Sequence, residues 1–424
     1  MSLSFEHQFK DRALYNFDDN LNQPRHRWYP FKEGFSNQLV REAINRQIVS
    51  QKQTLRVLDP FSGSGTTLLT SALLGHNVVG VEINPFFTFA SHVKCLKGGW
   101  NGKKIRARTN YIIAEAQKCN DPSPLENFST FTERNGNTKW LFNRDVLRAC
   151  ASTMSLINDY AEEYAGAFRL AATRAAMMCC NAKKDGKCLR YYPDWKEIAN
   201  DHFAFFKCFR GIISVMIEDV GLAPISDEVS IQIVRDDSRN ALLKYENASF
   251  DLIVTSPPYL NSFDYSDVYR PELFLNGFVG DNDDLRKIRL KTIRSHVQVK
   301  WDGETKVDNK QVKSLVAKMT EMRKLWNKRL PQMVEAYFYD MQIILKQSTR
   351  LLRHGAHMWI VVSTSAYKGL HIPVDLILAE IGSECGLLLE NVYVLRHLRA
   401  SGQQWARLRS STPPLRESLV IFRR

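Results

Sequence analysis

Short apolar runs alternate with amphipathic stretches at both ends of this chain. Residues 38–50 (QLVREAINRQIVS) carry apolar side chains at helical spacing and predict an amphipathic helix. LRVLDPF then reads as a short buried strand ending at Asp59-Pro60. A Gly/Ser turn follows, and TTLLTSALLG predicts a helix closed by Gly75. NVVGVEIN reads as a second strand. Strand, glycine turn, helix and strand form a βαβ unit, whose crossover predicts a parallel sheet.

The pattern changes after residue 100. Residues 101–225 hold long helix-like stretches, and no proline occurs from Leu125 to Tyr192. Met154, Ile157, Tyr160, Tyr164 and Phe168 recur at helical spacing and predict a helical core. Strands resume at 229–237 (VSIQIVRDD), 250–256 (FDLIVTS), 357–365 (HMWIVVSTS), 391–399 (NVYVLRHLR) and 417–424 (ESLVIFRR). Residues 281–330 carry 14 Lys/Arg against 7 Asp/Glu. The expected organisation is an α/β core made of 1–100, 226–280 and 335–424. A helical insertion (101–225) and a basic insertion (281–334) interrupt it.

Composition narrows the function. With 424 residues, 44% of them apolar and 24% charged, a folded chain of one large or a few smaller domains is expected. The net charge of +13 suits a polyanionic partner. No run of 18 apolar residues predicts a membrane span. The opening MSLSFEHQFKDRALYNFDDN lacks the apolar stretch of a signal peptide, so reduced cysteines and a cytoplasmic location are expected.

The glycine turn Asp59-Pro-Phe-Ser-Gly-Ser-Gly65 lies at the carboxyl end of a strand and opens a helix, where ligands bind in doubly wound sheets. Gly63 and Gly65 allow close backbone approach. The turn has neither the third glycine of a dinucleotide fingerprint nor the Gly-Lys-Ser/Thr of a P-loop. The next strand ends at Glu82, a carboxylate placed to accept the two hydroxyls of a ribose. The segment DLIVTSPPY (251–259) ends another strand, and Pro257 and Pro258 make its turn rigid.

VLDPFSGSGTT with GVEINP, together with Ser-Pro-Pro-Tyr at 256–259, resembles the S-adenosylmethionine-dependent DNA amino-methyltransferases. The resemblance covers roughly 26–95 and 229–424 apart from 281–334. It implies a Rossmann-like class I methyltransferase fold with a mostly parallel sheet. It puts Phe61, Ser62, Gly63, Ser64 and Gly65, with Thr66 behind them, around the methionine of the cofactor. Asp59 would lie near its ammonium, Glu82 on its ribose, Ile83 on its adenine, and Asp237 (or Asp236) near the adenine amino group. HRWYPFKEGFS resembles the family's first motif, with Trp28 and Phe35 closing over the methionine end. Ser256, Pro257, Pro258 and Tyr259 would form the catalytic turn. There Ser256 and a backbone carbonyl accept from an exocyclic amino group, and Tyr259 stacks on a base flipped out of the duplex.

That resemblance implies double-stranded DNA as substrate, with a cognate restriction enzyme as a further partner. Ser ahead of the prolines favours N4 of cytosine over N6 of adenine. An RNA amino-methyltransferase and a non-catalytic module on the same fold are the alternatives. The motif order, cofactor first and catalysis second, departs from the order commoner with Ser-Pro-Pro-Tyr and leaves the position of the target-recognition part open. Carbon-5 cytosine methylation is disfavoured because no Pro-Cys pair occurs. Cys179, Cys180, Cys188, His202 and Cys208 lie close in sequence, but their spacing predicts no metal site. The basic runs 286–301 and 396–409 are candidates for DNA contact, and 101–225 for reading its sequence.

Overall fold

The structure, a computed structural model, describes residues 17–48, 53–119, 121–134, 136–158, 164–186, 188–198, 200–301, 303, 305–323, 325–398 and 414–424. Ser36 caps α1 (Asn37–Gln47), its hydroxyl accepting from the Gln38 N–H at 3.1 Å. The chain then forms β1 (Arg56–Asp59), α2 (Thr66–Leu73) and β2 (Asn77–Val81). Asn84 caps α3 (Pro85–Lys94), whose proline stands in the first turn where no N–H is needed.

The segment that follows is mostly helical: α4 (Gly102–Ala116), α5 (Arg144–Asn158), α6 (Ala165–Met178) and α7 (His202–Leu222). A small hairpin, β3 (Ala182–Asp185) and β4 (Cys188–Tyr191), was not legible in the pattern. Of the helical stripe, Met154, Ile157, Tyr164 and Phe168 are buried, and Tyr160 lies outside the described residues.

The sheet resumes with β5 (Ile231–Val234), the short α8 (Ser238–Ala241) and β6 (Phe250–Thr255). Short α9 (Tyr265–Val268) and α10 (Arg270–Leu275) follow, then α11 (Asn282–Lys291), α12 (Lys310–Glu321) and α13 (Leu330–Leu351). Next come β7 (Leu352–Ser363), a hairpin of β8 (Ser365–Tyr367) and β9 (Leu370–Ile372), α14 (Val374–Glu384), β10 (Leu388–His397) and β11 (Arg416–Arg423).

Seven strands form one sheet in the order β10-β11-β7-β6-β1-β2-β5. β5, β2, β1, β6 and β7 run parallel, and β11 is antiparallel to both of its neighbours. All seven correspond to strands expected from the sequence. The order reverses direction between β1 and β6, so their carboxyl ends open a crevice at the switch point.

Two apolar clusters gather the helices around the sheet. The helical segment shares one apolar cluster with α3 and with residues 263–288, including Phe86, Phe87, Tyr269 and Phe274. Further along, α12 and α13 pack with β6 and β7 in a second cluster. Among the described residues no helix is long and apolar enough to cross a membrane.

Candidate active site

Both recognised turns sit on one rim, because β1 and β6 are parallel neighbours. They border a cleft of about 860 Å³, part of it open to solvent, lined by Phe61, Gly63, Glu82, Ile83, Asp237, Ser256, Pro257 and Pro258. Residues more than 170 positions apart are gathered there by the sheet alone.

The glycine turn needs its glycines. Gly63 has φ +49°, and a Cβ there would come within 2.9 Å of the Phe31 ring. Gly65 has φ +85°, and its Cβ would meet the Ser91 hydroxyl at 2.7 Å. Ser62 donates to the Val81 carbonyl, through N–H at 3.0 Å and Oγ at 3.3 Å, which binds the turn to β2. Ser64 and Thr66 are buried in the turn and at the start of α2, away from the cleft lining. Ser64 Oγ is buried without a hydrogen-bond partner.

Behind the turn stands a side chain that the sequence reading missed. Lys94 is 1% exposed and donates to the carbonyls of Tyr29 (3.0 Å) and Ser64 (3.2 Å). Burial pulls its pKa down to about 7. Its position on the last turn of α3 gave no pattern signal, since a lone lysine there reads as solvated.

Glu82 closes the other side. Its Oε2 accepts from the Gly63 N–H at 2.9 Å and its Oε1 from the Asn84 N–H at 2.7 Å. Burial nevertheless raises its pKa to about 7. Each oxygen keeps acceptor capacity for a ligand hydroxyl.

Asp59 departs from expectation. It does not line the cleft. Its Oδ1 accepts from the Phe61 N–H at 3.0 Å and the Thr255 hydroxyl at 2.6 Å, so it clamps its own turn to the end of β6. Burial raises its pKa to about 6, against the pull of these hydrogen bonds.

Trp28 and Phe35 depart too. Trp28 is fully buried, with its indole N–H donating to Asp219 Oδ2 at 2.8 Å and its ring 5.5 Å from that of Trp100. Phe35 is buried against α1 in the third apolar cluster, with Leu39 and Val40. The residues of that segment that do reach the cleft are Phe31 and Glu33.

Asp237 lines the cleft while capping α8, and both of its oxygens take the Arg239 guanidinium, the closest contact being 2.6 Å. Arg239 also reaches fully buried Asp340 at 2.8 Å, and Asp340 in turn holds Arg294 at 2.7 Å. Asp236 turns instead to Lys244, at 2.6 Å. Around this ion network, Lys291, Thr292, Ile293 and Ser295 form the outer wall of the cleft.

Ser256 and the two prolines face the cleft, but Tyr259 does not line it. The Tyr259 ring is half-buried against the second cluster, and its hydroxyl donates to Glu417 Oε1 at 2.7 Å. Glu417 is held in turn by Arg396 at 2.8 Å. Tyr265, another residue not picked out from sequence, presents its ring to the cleft with its phenol oxygen near the Tyr259 N–H. Behind the turn, the Ser365 and Tyr367 hydroxyls donate to the Leu260 carbonyl, the latter at 3.1 Å.

Of the basic run 286–301, Arg289 pairs with Asp264 at 2.6 Å and Arg294 with Asp340, while Arg286, Lys291 and Lys300 are exposed. The second run, 396–409, lies outside the described residues from 399 onward. Burial pushes the Cys179 and Cys180 thiols up to about 12. Among the described residues no three His, Cys, Asp or Glu side chains gather as metal ligands would.

Residues 11–91 match the family model for DNA methylases. The chain is 26% identical to the type II methyltransferase M.BsoBI of Geobacillus stearothermophilus, across 97% of this chain and 88% of that protein. It is 26% identical to the type II methyltransferase M.AvaI of Anabaena variabilis, across 92% of this chain and 84% of that protein. With the type II methyltransferase M.MvaI of Kocuria varians the identity is 23%, across 85% and 82%. The glycine cradle with its paired carboxylate fits S-adenosylmethionine as cofactor. Matches that run along nearly the whole chain, on a sheet whose rim joins the two turns, make it similar to the type II DNA methyltransferases.

Proposed function

We propose that this protein methylates the N4 amino group of cytosine within a specific sequence of double-stranded DNA. The observation that carries the choice is Ser256, a neutral hydroxyl at the end of β6, on the same cleft as Gly63 and Glu82. S-adenosylmethionine, when bound, supplies a methyl group on an electrophilic sulfonium. The protein's own task is to hold an amino nitrogen in line with that methyl and make its lone pair available.

Ser256 does this as an acceptor. A hydroxyl has lone pairs for an amino N–H but no charge, so a backbone carbonyl of the rigid turn acts with it. Asp in its place would bond more strongly and is the residue the resemblance connects with adenine. Phe61–Gly65 and Glu82 hold the methionine and ribose parts of the cofactor, and Ile83 and Asp237 border its adenine. For Tyr259 to take the flipped base on its ring, as the resemblance implies, the ring must turn out of its packing against the second cluster, where Glu417 now fixes its hydroxyl.

DNA is held by charge. Lys291 at the cleft and the exposed Arg286 and Lys300 of the same basic run are the proposed phosphate contacts, and the helical segment 101–225 reads sequence. Mass spectrometry of nucleosides from DNA methylated by the purified enzyme tests the product. N4-methylcytosine is expected; N6-methyladenine as the only methylated nucleoside would overturn the cytosine assignment.

A further inference from the structure

No step above uses Glu33, yet it lines the cleft. It stands on the loop ahead of α1 that folds over the glycine turn, two residues from Phe31, whose ring occupies the space beside Gly63. Its Oε2 accepts from the Tyr269 hydroxyl at 2.6 Å. The surroundings are aromatic: Phe31, Phe87 and Tyr265 share the cleft with it. Burial raises its pKa, as it does for any carboxylate among rings.

A half-buried carboxylate facing a ring-lined cleft calls for a positive partner. Among the described residues no cation forms an ion pair with it. Lys184 lies over the Tyr269 ring at 3.7 Å, but its ammonium is drawn to Glu272, and the Lys32 side chain is on the exposed side of the loop. The cofactor does provide one, because S-adenosylmethionine carries a sulfonium and an ammonium against a single carboxylate. Asp59, expected from the resemblance to meet that ammonium, is spent on Thr255 and its own turn and does not face the cleft.

We infer that the Glu33 carboxylate receives the α-ammonium of the cofactor's methionine, with Tyr269 as the positioning residue that holds it. This rests on the cofactor site proposed above. An ammonium–carboxylate hydrogen bond is charge-assisted, and shielding from water by three rings strengthens it.

The test is isothermal titration with two nucleosides. S-adenosylhomocysteine carries the amino acid; 5′-methylthioadenosine keeps the adenosine and thioether but lacks it. Glu33→Gln is expected to weaken S-adenosylhomocysteine about tenfold or more and to leave 5′-methylthioadenosine unchanged. Tyr269→Phe, which removes only the hydroxyl donor, is expected to give a smaller loss with the same selectivity. Equal weakening of both ligands, or of neither, would overturn the ammonium assignment while leaving the cofactor site standing. A wild-type protein that binds neither nucleoside would overturn the site itself, and the assignment with it.

Discussion

Asp59 at the end of β1 accepts the hydroxyl of Thr255 at the end of β6, 2.6 Å away. The two residues are 196 positions apart and sit at the point where the sheet reverses its order. Their hydrogen bond fastens the glycine turn to the Ser-Pro-Pro-Tyr turn. Thr255→Val keeps the shape but leaves a buried carboxylate one donor short. It is expected to lower unfolding free energy by about 1–3 kcal/mol, measured by urea titration. A further rise of the Asp59 pKa above about 6 should accompany it, read by NMR.

Glu82 sets an unusual pH dependence for the ligand-free protein. Its folded pKa is raised to about 7 from 4.5, so the folded state binds more protons than the unfolded state between those values. Its contribution to stability is therefore full below about 4.5 and lost as pH rises through 7. Glu82→Gln is expected to flatten this part of the stability-versus-pH curve. It should stabilise the free protein at pH 8 by on the order of 1–2 kcal/mol while weakening S-adenosylmethionine. Denaturant titrations at pH 5, 6, 7 and 8, with calorimetry at pH 8, provide both readouts. A mutant curve parallel to the wild type would contradict the prediction.

Gly63→Val places a branched side chain at φ +49° against the Phe31 ring. Either Phe31 moves or the turn does, and both spoil the cradle. Cofactor affinity is expected to fall by about tenfold or more, a loss of ~1.4 kcal/mol in binding. Unchanged affinity in a folded variant would remove the Gly63 backbone from the cofactor site.

Asp340 is the hub between Arg239 and Arg294, and through Arg239 it reaches Asp237. Asp340→Ala leaves two cations without their shared carboxylate, one of them buried. The expected cost is about 3–5 kcal/mol of stability. The Lys291–Ser295 wall should loosen with it, detectable as faster amide exchange there than around the distant β10.

Glu417 joins Tyr259 to Arg396. In Glu417→Gln the amide can still meet the Tyr259 hydroxyl, but the ion pair with Arg396 is gone. The variant should fold with a modest loss of stability and, on the proposed mechanism, in which the turn engages the target base mainly as it reacts, show a lower kcat with little change in KM for DNA. A rise in KM alone would argue for a role in DNA binding instead.

Local pattern alone determined a good deal about this protein. Short buried strands, glycine turns and caps are set by neighbouring residues, so all seven strands of the main sheet and both motif-bearing turns could be read from sequence. Ser36, Asn84 and Asp237 act within two residues of themselves, and Gly63 and Gly65 through backbone angles that other residues adopt at a cost. Tertiary structure decided which side chains face the cleft, because that depends on partners far along the chain. Asp59 was claimed by Thr255, Trp28 by Asp219, and Tyr259 by Glu417. Glu33, Tyr265 and Lys94 entered through loop and helix packing that leaves no periodic mark. The basic run divided in the same way: Arg289 and Arg294 turned inward to distant carboxylates, whereas Arg286, Lys291 and Lys300 stayed in solvent. A buried polar group must find a partner wherever the fold offers one, and sequence spacing does not record where that is.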